Sequence, residues 1–279
     1  MRLIETVVEM KAACRAATRA GKTVGLVPTM GALHEGHMSL VGAAKSHSEV
    51  TAVSIFVNPL QFGPSEDFEQ YPRTFERDST MLREAGVDLL FLPSVAEMYP
   101  AGARTYIDVE VLSSRLDGGS RPGHFRGVAT VVCKLFEIVR PERAFFGQKD
   151  AAQVALLRKM AQDLDMDVEI VVCPIVREVD GLAMSSRNAY LNAEQRNQAQ
   201  VLSRSLQRVK AAVEAGETVA AKLFEIGRKE IASELGAKLD YFAMVDPNTL
   251  EPVEKVVPGT LVAVAAWVGA TRLIDNILL

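Results

Sequence analysis

"VGLVPTMGALHEGHMSL", residues 24–40, is the stretch on which the fold turns. A short apolar run at 24–27 passes through Pro28 and Gly31 into a polar turn, and a helix start follows near Gly36. Strand, glycine turn and helix in that order suit a phosphate site, because the first N–H groups of a helix lack partners and carry partial positive charge. The same stretch holds His34 and His37, two of only four histidines in the chain. The pair alone leaves three readings open. It is a structural pair satisfied by backbone groups, a metal pair, or a pair of donors aimed at charge that develops during a reaction. The metal reading is weakened because H-x-x-H lacks the i,i+4 spacing of H-E-x-x-H and no third ligand follows at a usual spacing.

Working outward, short β-rich apolar runs recur at 24–27, 50–57, 87–92, 144–146 and 168–173, with helix-like segments at 38–48, 75–85, 129–139 and 151–164. This alternation predicts an α/β fold, a Rossmann-like parallel sheet with helices on both faces. Ligands of such sheets bind outside the carboxyl ends of the strands, near a switch in strand order. "VPTMG", "VNPLQFGPSE" and "FFGQKD" each follow a strand, so their polar residues should gather at one rim. Beyond "CPIVREVDGLAMSSRNAYL" the pattern changes to one long helix at 193–215, a second at 219–235, and strands in "LDYFAMVD" and "TLVAVAAWV". We expect two domains, 1–176 Rossmann-like and 177–279 a smaller α+β C-terminal lid domain.

The chain has 279 residues, 48% hydrophobic and 24% charged, with a formal net charge of −4. That balance argues against a general affinity for nucleic acid or an anionic membrane, so an anionic substrate needs local Lys, Arg or His. Cys14, Cys133 and Cys173 are scattered, with no C-x-x-C pair, which fits a reducing compartment. "MRLIETVVEMKAACRAATRAGK" reads as an ordinary opening helix, since Leu3, Val7, Met10 and Cys14 recur at helical spacing and Glu5 and Glu9 interrupt any signal-peptide core. "GTLVAVAAWVGA" is too short to span a bilayer. A soluble cytoplasmic protein is expected.

Two further motifs bear chemistry. "FFGQKDAAQ" sets Gly147, Gln148, Lys149 and Asp150 after a short strand and Gln153 one turn into the next helix. A G-x-K-D turn is often only a solvated corner, but here the ammonium stands at a strand end beside the rim of the two histidines, where it suits phosphate oxygens. "LAMSSRN" offers the hydroxyls of Ser185 and Ser186 and the guanidinium of Arg187, an anion clamp or, equally, a capped surface turn. Gln61 and Gln153 carry amides suited to hydroxyl and carboxylate groups of a small polar substrate, while Asn58, ahead of Pro59, can also serve by setting a turn.

Taken together, "PTMGALHEGHMSL", "SIFVNPLQFGPSEDFEQYPRT", "RPGHFRGVATVVCKLF", "FFGQKDAAQVALLRKM", "PIVREVDGLAMSSRNAYL" and "TRLIDN" resemble the pantoate–β-alanine ligases of the adenylating nucleotidyltransferase superfamily, over nearly the whole chain and in the right order. "HEGH" is similar to the superfamily's HIGH-type signature and "MSSR" stands where its KMSKS-type loop lies. The resemblance implies that ATP, pantoate and β-alanine give pantothenate, AMP and diphosphate through a pantoyl adenylate, in the pathway to coenzyme A. It implies His37 and His34 on the departing diphosphate, His37 as proton donor, with Lys149 and Arg187 completing the catalytic set. The nucleotide would be bordered by Met30, Gly31, Ala32, Leu33, His34, Glu35, Gly36 and His37, by Gly147, Gln148, Lys149 and Asp150, by Val176, and by Met184, Ser185, Ser186 and Arg187. Gln61, Gln153 and Asn58 would hold pantoate, with Gln61 also near β-alanine. Mg²⁺ would arrive held mainly by ATP and water rather than by a protein metal site, with Asp78 as an outlying helper. A homodimer is implied. The chain departs from the family pattern at Ala151, where an aromatic residue is usual, at Trp267, where an arginine is usual, and at Ala270. A sibling nucleotidyltransferase acting on another acid and a catalytically silent nucleotide-binding protein are the competing readings.

Overall fold

A computed structural model describes residues 1–64 and 66–279. The apolar run at its centre folds as a strand buried on both faces, and successive residues feed opposite layers. Leu26 and Phe146 pack under one helix layer, Val27 and Phe145 under the other. In chain order the elements begin with β1 (Arg2–Ile4), α1 (Val7–Arg19), β2 (Val24–Thr29), α2 (Glu35–His47), β3 (Val50–Ile55), α3 (Phe75–Glu84) and β4 (Leu89–Phe91). They continue with α4 (Val95–Met98), α5 (Asp117–Ser120), α6 (His124–Val139), β5 (Arg143–Gly147), α7 (Ala151–Asp163) and β6 (Glu169–Cys173). The last third holds α8 (Ala193–Ala199), α9 (Val201–Glu214), α10 (Ala220–Ala232), β7 (Ala237–Val245), β8 (Leu261–Val268) and β9 (Thr271–Leu278).

Six strands form a parallel sheet in the order β1-β4-β3-β2-β5-β6. From β2 the chain runs outward to β3 and β4 on one side, then crosses back to β5 and β6 on the other. The switch in direction lies between β2 and β5, and a crevice opens there at the carboxyl ends of both strands. Met10 and Cys14 of α1, Phe125 and Leu135 of α6 and Leu156 and Leu157 of α7 fill one face. Leu40, Val41 and Ala44 of α2 with Leu82 of α3 fill the other. Each such Leu or Phe contributes about 1.5–3 kcal/mol on full burial, so the layers are held by apolar area rather than by ion pairs.

β7, β8 and β9 form a separate antiparallel sheet. β8 is sandwiched. Leu261 and Ala263 join the core of the large sheet, while Val262, Val264, Ala266 and Val268 pack with Leu202, Leu206 and Leu223 of α9 and α10. The unbroken apolar run of "LVAVAAWV" is the signature of that double burial.

Three expectations change. The opening residues are not one helix: Arg2, Leu3 and Ile4 form an edge strand parallel to β4, and α1 starts only after Thr6, whose hydroxyl caps the Glu9 N–H at 3.3 Å. A strand of three residues is too short to show a period. The helix expected at 129–139 begins at His124, after Gly123 at φ +85°, because Arg126 and Gly127 interrupt an apolar face that Phe125 has already begun. The single helix expected at 193–215 is broken at Gln200, and the two pieces, α8 and α9, both dock on β8. No Pro or Gly marks that break.

Candidate active site

The turn after β2 is unusual in its backbone. Gly31 and Ala32 both take left-handed φ, +83° and +50°, which for a residue with a Cβ costs about 1–2 kcal/mol. Asp78 of α3 holds this turn. Its Oδ2 accepts from Ala32 N at 2.8 Å and its Oδ1 from Leu33 N at 2.9 Å and from the Thr74 hydroxyl at 3.0 Å. Asp78 is 1% exposed, and its carboxylate is committed to the turn rather than offered to an ion.

His34 is the N-cap of α2, and its geometry explains the H-x-G-H spacing. His34 Nδ1 accepts from Gly36 N at 3.1 Å, and His37 Nδ1 accepts from His34 N at 3.3 Å, a reciprocal capping box made by two imidazoles. A Cβ on residue 36 would stand 2.8 Å from His34 Cε1, so only glycine lets the ring fold back over the helix start. With each Nδ1 accepting, the hydrogen-bond pattern assigns both protons to Nε2. Burial, then the Lys149 charge, lowers His34 to about 4; burial, then His34 and Lys149, lowers His37 to about 3. At neutral pH the site therefore offers two uncharged Nε2–H donors, their ring centroids 4.1 Å apart.

One cavity of about 160 Å³ is lined by all three motif segments. Met30, His34, Gly36 and His37 come from the β2–α2 turn, and Gly147, Lys149 and Asp150 from the corner after β5. Val176, Met184, Ser185, Ser186 and Arg187 come from the segment after β6. Lys149 also lines an adjoining cavity of about 690 Å³, shared with Gln153, Arg187 and residues of β9. Gly31, Ala32 and Leu33 lie buried behind this wall, and Glu35 is exposed at the first turn of α2. Gln148 belongs to the 3₁₀ turn Gln148–Asp150 and turns toward β9.

The expected amide pair is split. Gln153 lines the larger cavity, whereas Gln61 is buried against Met30, its Nε2 2.9 Å from the Met30 sulfur. Asn58 holds Gln61 in place. Its Nδ2 donates to Gln61 Oε1 at 3.1 Å and to Gly127 O at 3.0 Å, while its Oδ1 accepts from Leu60 N and from the Tyr99 hydroxyl. At 1% exposure with these four bonds made, Asn58 serves the fold around Gln61 directly.

The arginine of the serine loop is also occupied. Arg187 forks onto Asp67, Nε to Oδ2 at 3.0 Å and Nη2 to Oδ1 at 2.9 Å, with its guanidinium carbon 5.7 Å from the Tyr71 ring centre. Ser186 Oγ donates to Ala32 O at 3.0 Å, so the loop rests on the turn before the histidines. Asp67 and Tyr71 are neighbours of the site that sequence reasoning missed, as are Arg121 and His124 behind Gln61. His124 Nδ1 donates to the Gln61 carbonyl at 2.8 Å, and Arg121 pairs with Glu66. "SEDFEQYPRT" and "RPGHFRG" contain these residues, but nothing in their spacing reveals a partner so far along the chain.

A parallel sheet whose switch-point crevice holds two neutral imidazole donors, a lysine and an arginine on a serine loop defines an α/β protein equipped to handle an anion. Residues 2–278 match the sequence profile of the family described as Pantoate-beta-alanine ligase. A pantothenate synthetase of Koribacter versatilis is 58% identical over 279 residues, covering 100% of this chain and 96% of that one. One of Thermotoga petrophila is 56% identical, with 100% of both chains covered. The crystal structure of pantothenate synthetase from Thermus thermophilus superposes with a TM-score of 0.94 at 47% identity, covering 100% of this chain and 99% of that one. That of the Francisella tularensis pantoate-beta-alanine ligase, complexed with a β,γ-ATP compound and β-alanine, has a TM-score of 0.83 at 34% identity, covering 100% and 97%. The chain belongs to the pantoate-beta-alanine ligase family and is an enzyme of that class.

Proposed function

We propose that the enzyme condenses pantoate with β-alanine in two ATP-driven half-reactions at the β2–β5 crevice. Activation is required because a carboxylate is a poor electrophile and offers an amine no good leaving group. A pantoate carboxylate oxygen attacks the α-phosphorus, the bond to the β-phosphate oxygen breaks, and pantoyl adenylate and diphosphate result. The free amine of β-alanine then attacks the acyl carbon, the acyl C–O bond breaks, AMP leaves with that oxygen, and the amine's extra proton passes to solvent. No covalent enzyme intermediate is needed, and catalysis is positioning plus electrostatic stabilisation.

The observation that carries this reading is that one cavity is lined by the imidazole pair, the Lys149 corner and the serine–arginine loop. The Nε2–H groups of His34 and His37 stabilise charge on the departing diphosphate as hydrogen-bond donors. The low proton affinity of His37 gives it the role of neutral donor rather than of an imidazolium acid at neutral pH. Lys149 bridges phosphate oxygens, and Gly147 and Asp150 meet the ribose. Arg187 exchanges Asp67 for phosphate oxygens as Ser185 and Ser186 close over them; a carboxylate fork is the geometry a phosphate would replace. Gln153 and, through Met30, Gln61 hold pantoate, with Asn58 acting on substrate by way of Gln61. Asp78 is spent on the Ala32 and Leu33 backbone, and Mg²⁺ would enter as MgATP with phosphates and waters as ligands. Residues 177–279 form the lid, and the enzyme is a cytoplasmic homodimer.

The route is tested with pantoate labelled with ¹⁸O in its carboxylate. One label appears in AMP, with diphosphate released before β-alanine is added. Label in orthophosphate, with ADP formed, would mean an acyl phosphate and remove the adenylate.

A further inference from the structure

β9 carries two adjacent buried polar residues, Asp275 and Asn276, each 3% exposed, that none of the roles above uses. Neighbouring side chains on a strand point to opposite sides, and here each side meets a different loop of the site. Asp275 receives a fork from Arg177, Nη1 to Oδ2 at 2.7 Å and Nη2 to Oδ1 at 2.9 Å. Arg177 opens the hairpin, closed by its bridge to Ala183, that runs straight into the serine–arginine loop. Asn276 faces the lysine corner. Its Nδ2 donates to the carbonyls of Gln148 at 2.9 Å and Lys149 at 3.0 Å, and its Oδ1 accepts from Gln148 Nε2 at 3.3 Å. Both amide hydrogens and the amide oxygen are in use, all on one 3₁₀ turn.

Among the described residues no other side chain hydrogen-bonds to that turn. It is a single turn between β5 and α7, with no side-chain cap at its start, and Asp150, which ends it as the N-cap of α7, makes no capping hydrogen bond either. Among the described residues the Lys149 ammonium pairs only with the half-exposed Asp150 carboxylate at 3.6 Å, a contact too long and too wet to aim it. The direction of the side chain is therefore set by the backbone from which it leaves, and Asn276 grips that backbone at the two carbonyls that flank the Lys149 Cα.

We propose that Asn276 is a positioning residue for the first half-reaction, holding Lys149 at the phosphates from a strand of the C-terminal sheet, with Asp275 fixing the same strand to the Arg177–Ala183 hairpin. This rests on the reading of Lys149 as a phosphate partner. It gives the second sheet a task beyond covering the crevice, because the lysine is in place only while β9 is docked.

The test is a double-mutant cycle on the full-length enzyme, read as single-turnover diphosphate release at saturating ATP and pantoate. Asn276→Ala should slow release about tenfold or more while the pantoate KM moves less than about twofold. Asn276→Asp, the same shape without donors and with negative charge against two carbonyls, should be at least as slow; a rate near wild type would overturn the proposal. Combining Asn276→Ala with Lys149→Ala should cost nothing beyond Lys149→Ala alone. Losses that multiply, or a lower burst amplitude with an unchanged rate per active site, would show ordinary structural damage and overturn it. If Asn276→Ala does not fold, Asn276→Ser, which keeps one donor, carries the same cycle. Lys149→Ala alone reports on the underlying reading: a wild-type rate there removes that reading and the proposal together, whereas a slow Lys149→Ala with multiplicative losses removes only the proposal.

Discussion

A single missing methyl group decides how the first histidine stands. Gly36 leaves the space in which the His34 ring lies over the helix start, and a Cβ there would come within 2.9 Å of Nδ1 as well as 2.8 Å of Cε1. Gly36→Ala should leave the melting temperature nearly unchanged, because the gain of about 1 kcal/mol from alanine in a helical first turn offsets the similar loss of the His34 cap. It should nevertheless slow pantoate-dependent diphosphate release about tenfold or more, about 1.4 kcal/mol of transition-state stabilisation. Release at the wild-type rate would show that the ring's position over α2 is not what the chemistry uses. The sequence marks His34, Gly36 and His37 as a unit, and the capping box supplies the reason: each ring fastens a backbone N–H through Nδ1 and leaves Nε2–H for the crevice.

Among elements, α6 and the 3₁₀ turn Pro59–Gln61 approach closely in the neighbourhood of the site. A Cβ on Gly127 would stand 2.6 Å from Gln61 N and nearer still to the Leu60 carbonyl, so helix and turn touch backbone to backbone. Asn58 ties the same two elements by donating to the Gly127 carbonyl. Gly127→Ala has to push the turn outward and Gln61 with it. We expect the pantoate KM to rise several-fold while the ATP KM changes little, since the atoms nearest that Cβ belong to Leu60 and Gln61. Steady-state kinetics in the two substrates check this, and equal shifts in both would mean a general loosening instead. The helices and strands themselves were mostly legible, because 3.6- and 2-residue periods are local properties of the chain. The contact of Gly127 with Gln61 was not legible, since a glycine inside a helical pattern looks the same whether it faces solvent or another backbone.

For the molecule as a whole, three partly buried histidines couple stability to pH. Burial comes first in each case, with neighbouring positive groups adding to it. His34 and His124 are lowered to about 4 and His37 to about 3, against an ordinary value of 6.5. The folded protein keeps these rings neutral where the unfolded chain would take up protons. Their contribution is thus fully present above pH 6.5 and is lost as the pH falls from 6.5 toward 4. The melting temperature should be lower at pH 5.5 than at pH 7.5 by about 5 °C, with the midpoint of the loss below 6.5. A melting temperature that is flat or rises over that interval would contradict rings held neutral by the fold. At this scale too, the line between chain and fold is clear. The sequence by itself determined the alternation of strands and helices, the change of character in the last third, and the turns that follow β2, β3 and β5, because hydrophobic period and turn chemistry act over a few residues. Only the tertiary structure decided that Asp78 is spent on the turn at Ala32 and Leu33, that Gln61 lies behind Met30, that Arg187 rests on Asp67, and that Asn276 grips the lysine corner 127 residues away. What a polar side chain is free to do depends on which partners have already taken its donors and acceptors, and those partners are brought together by packing, not by spacing along the chain.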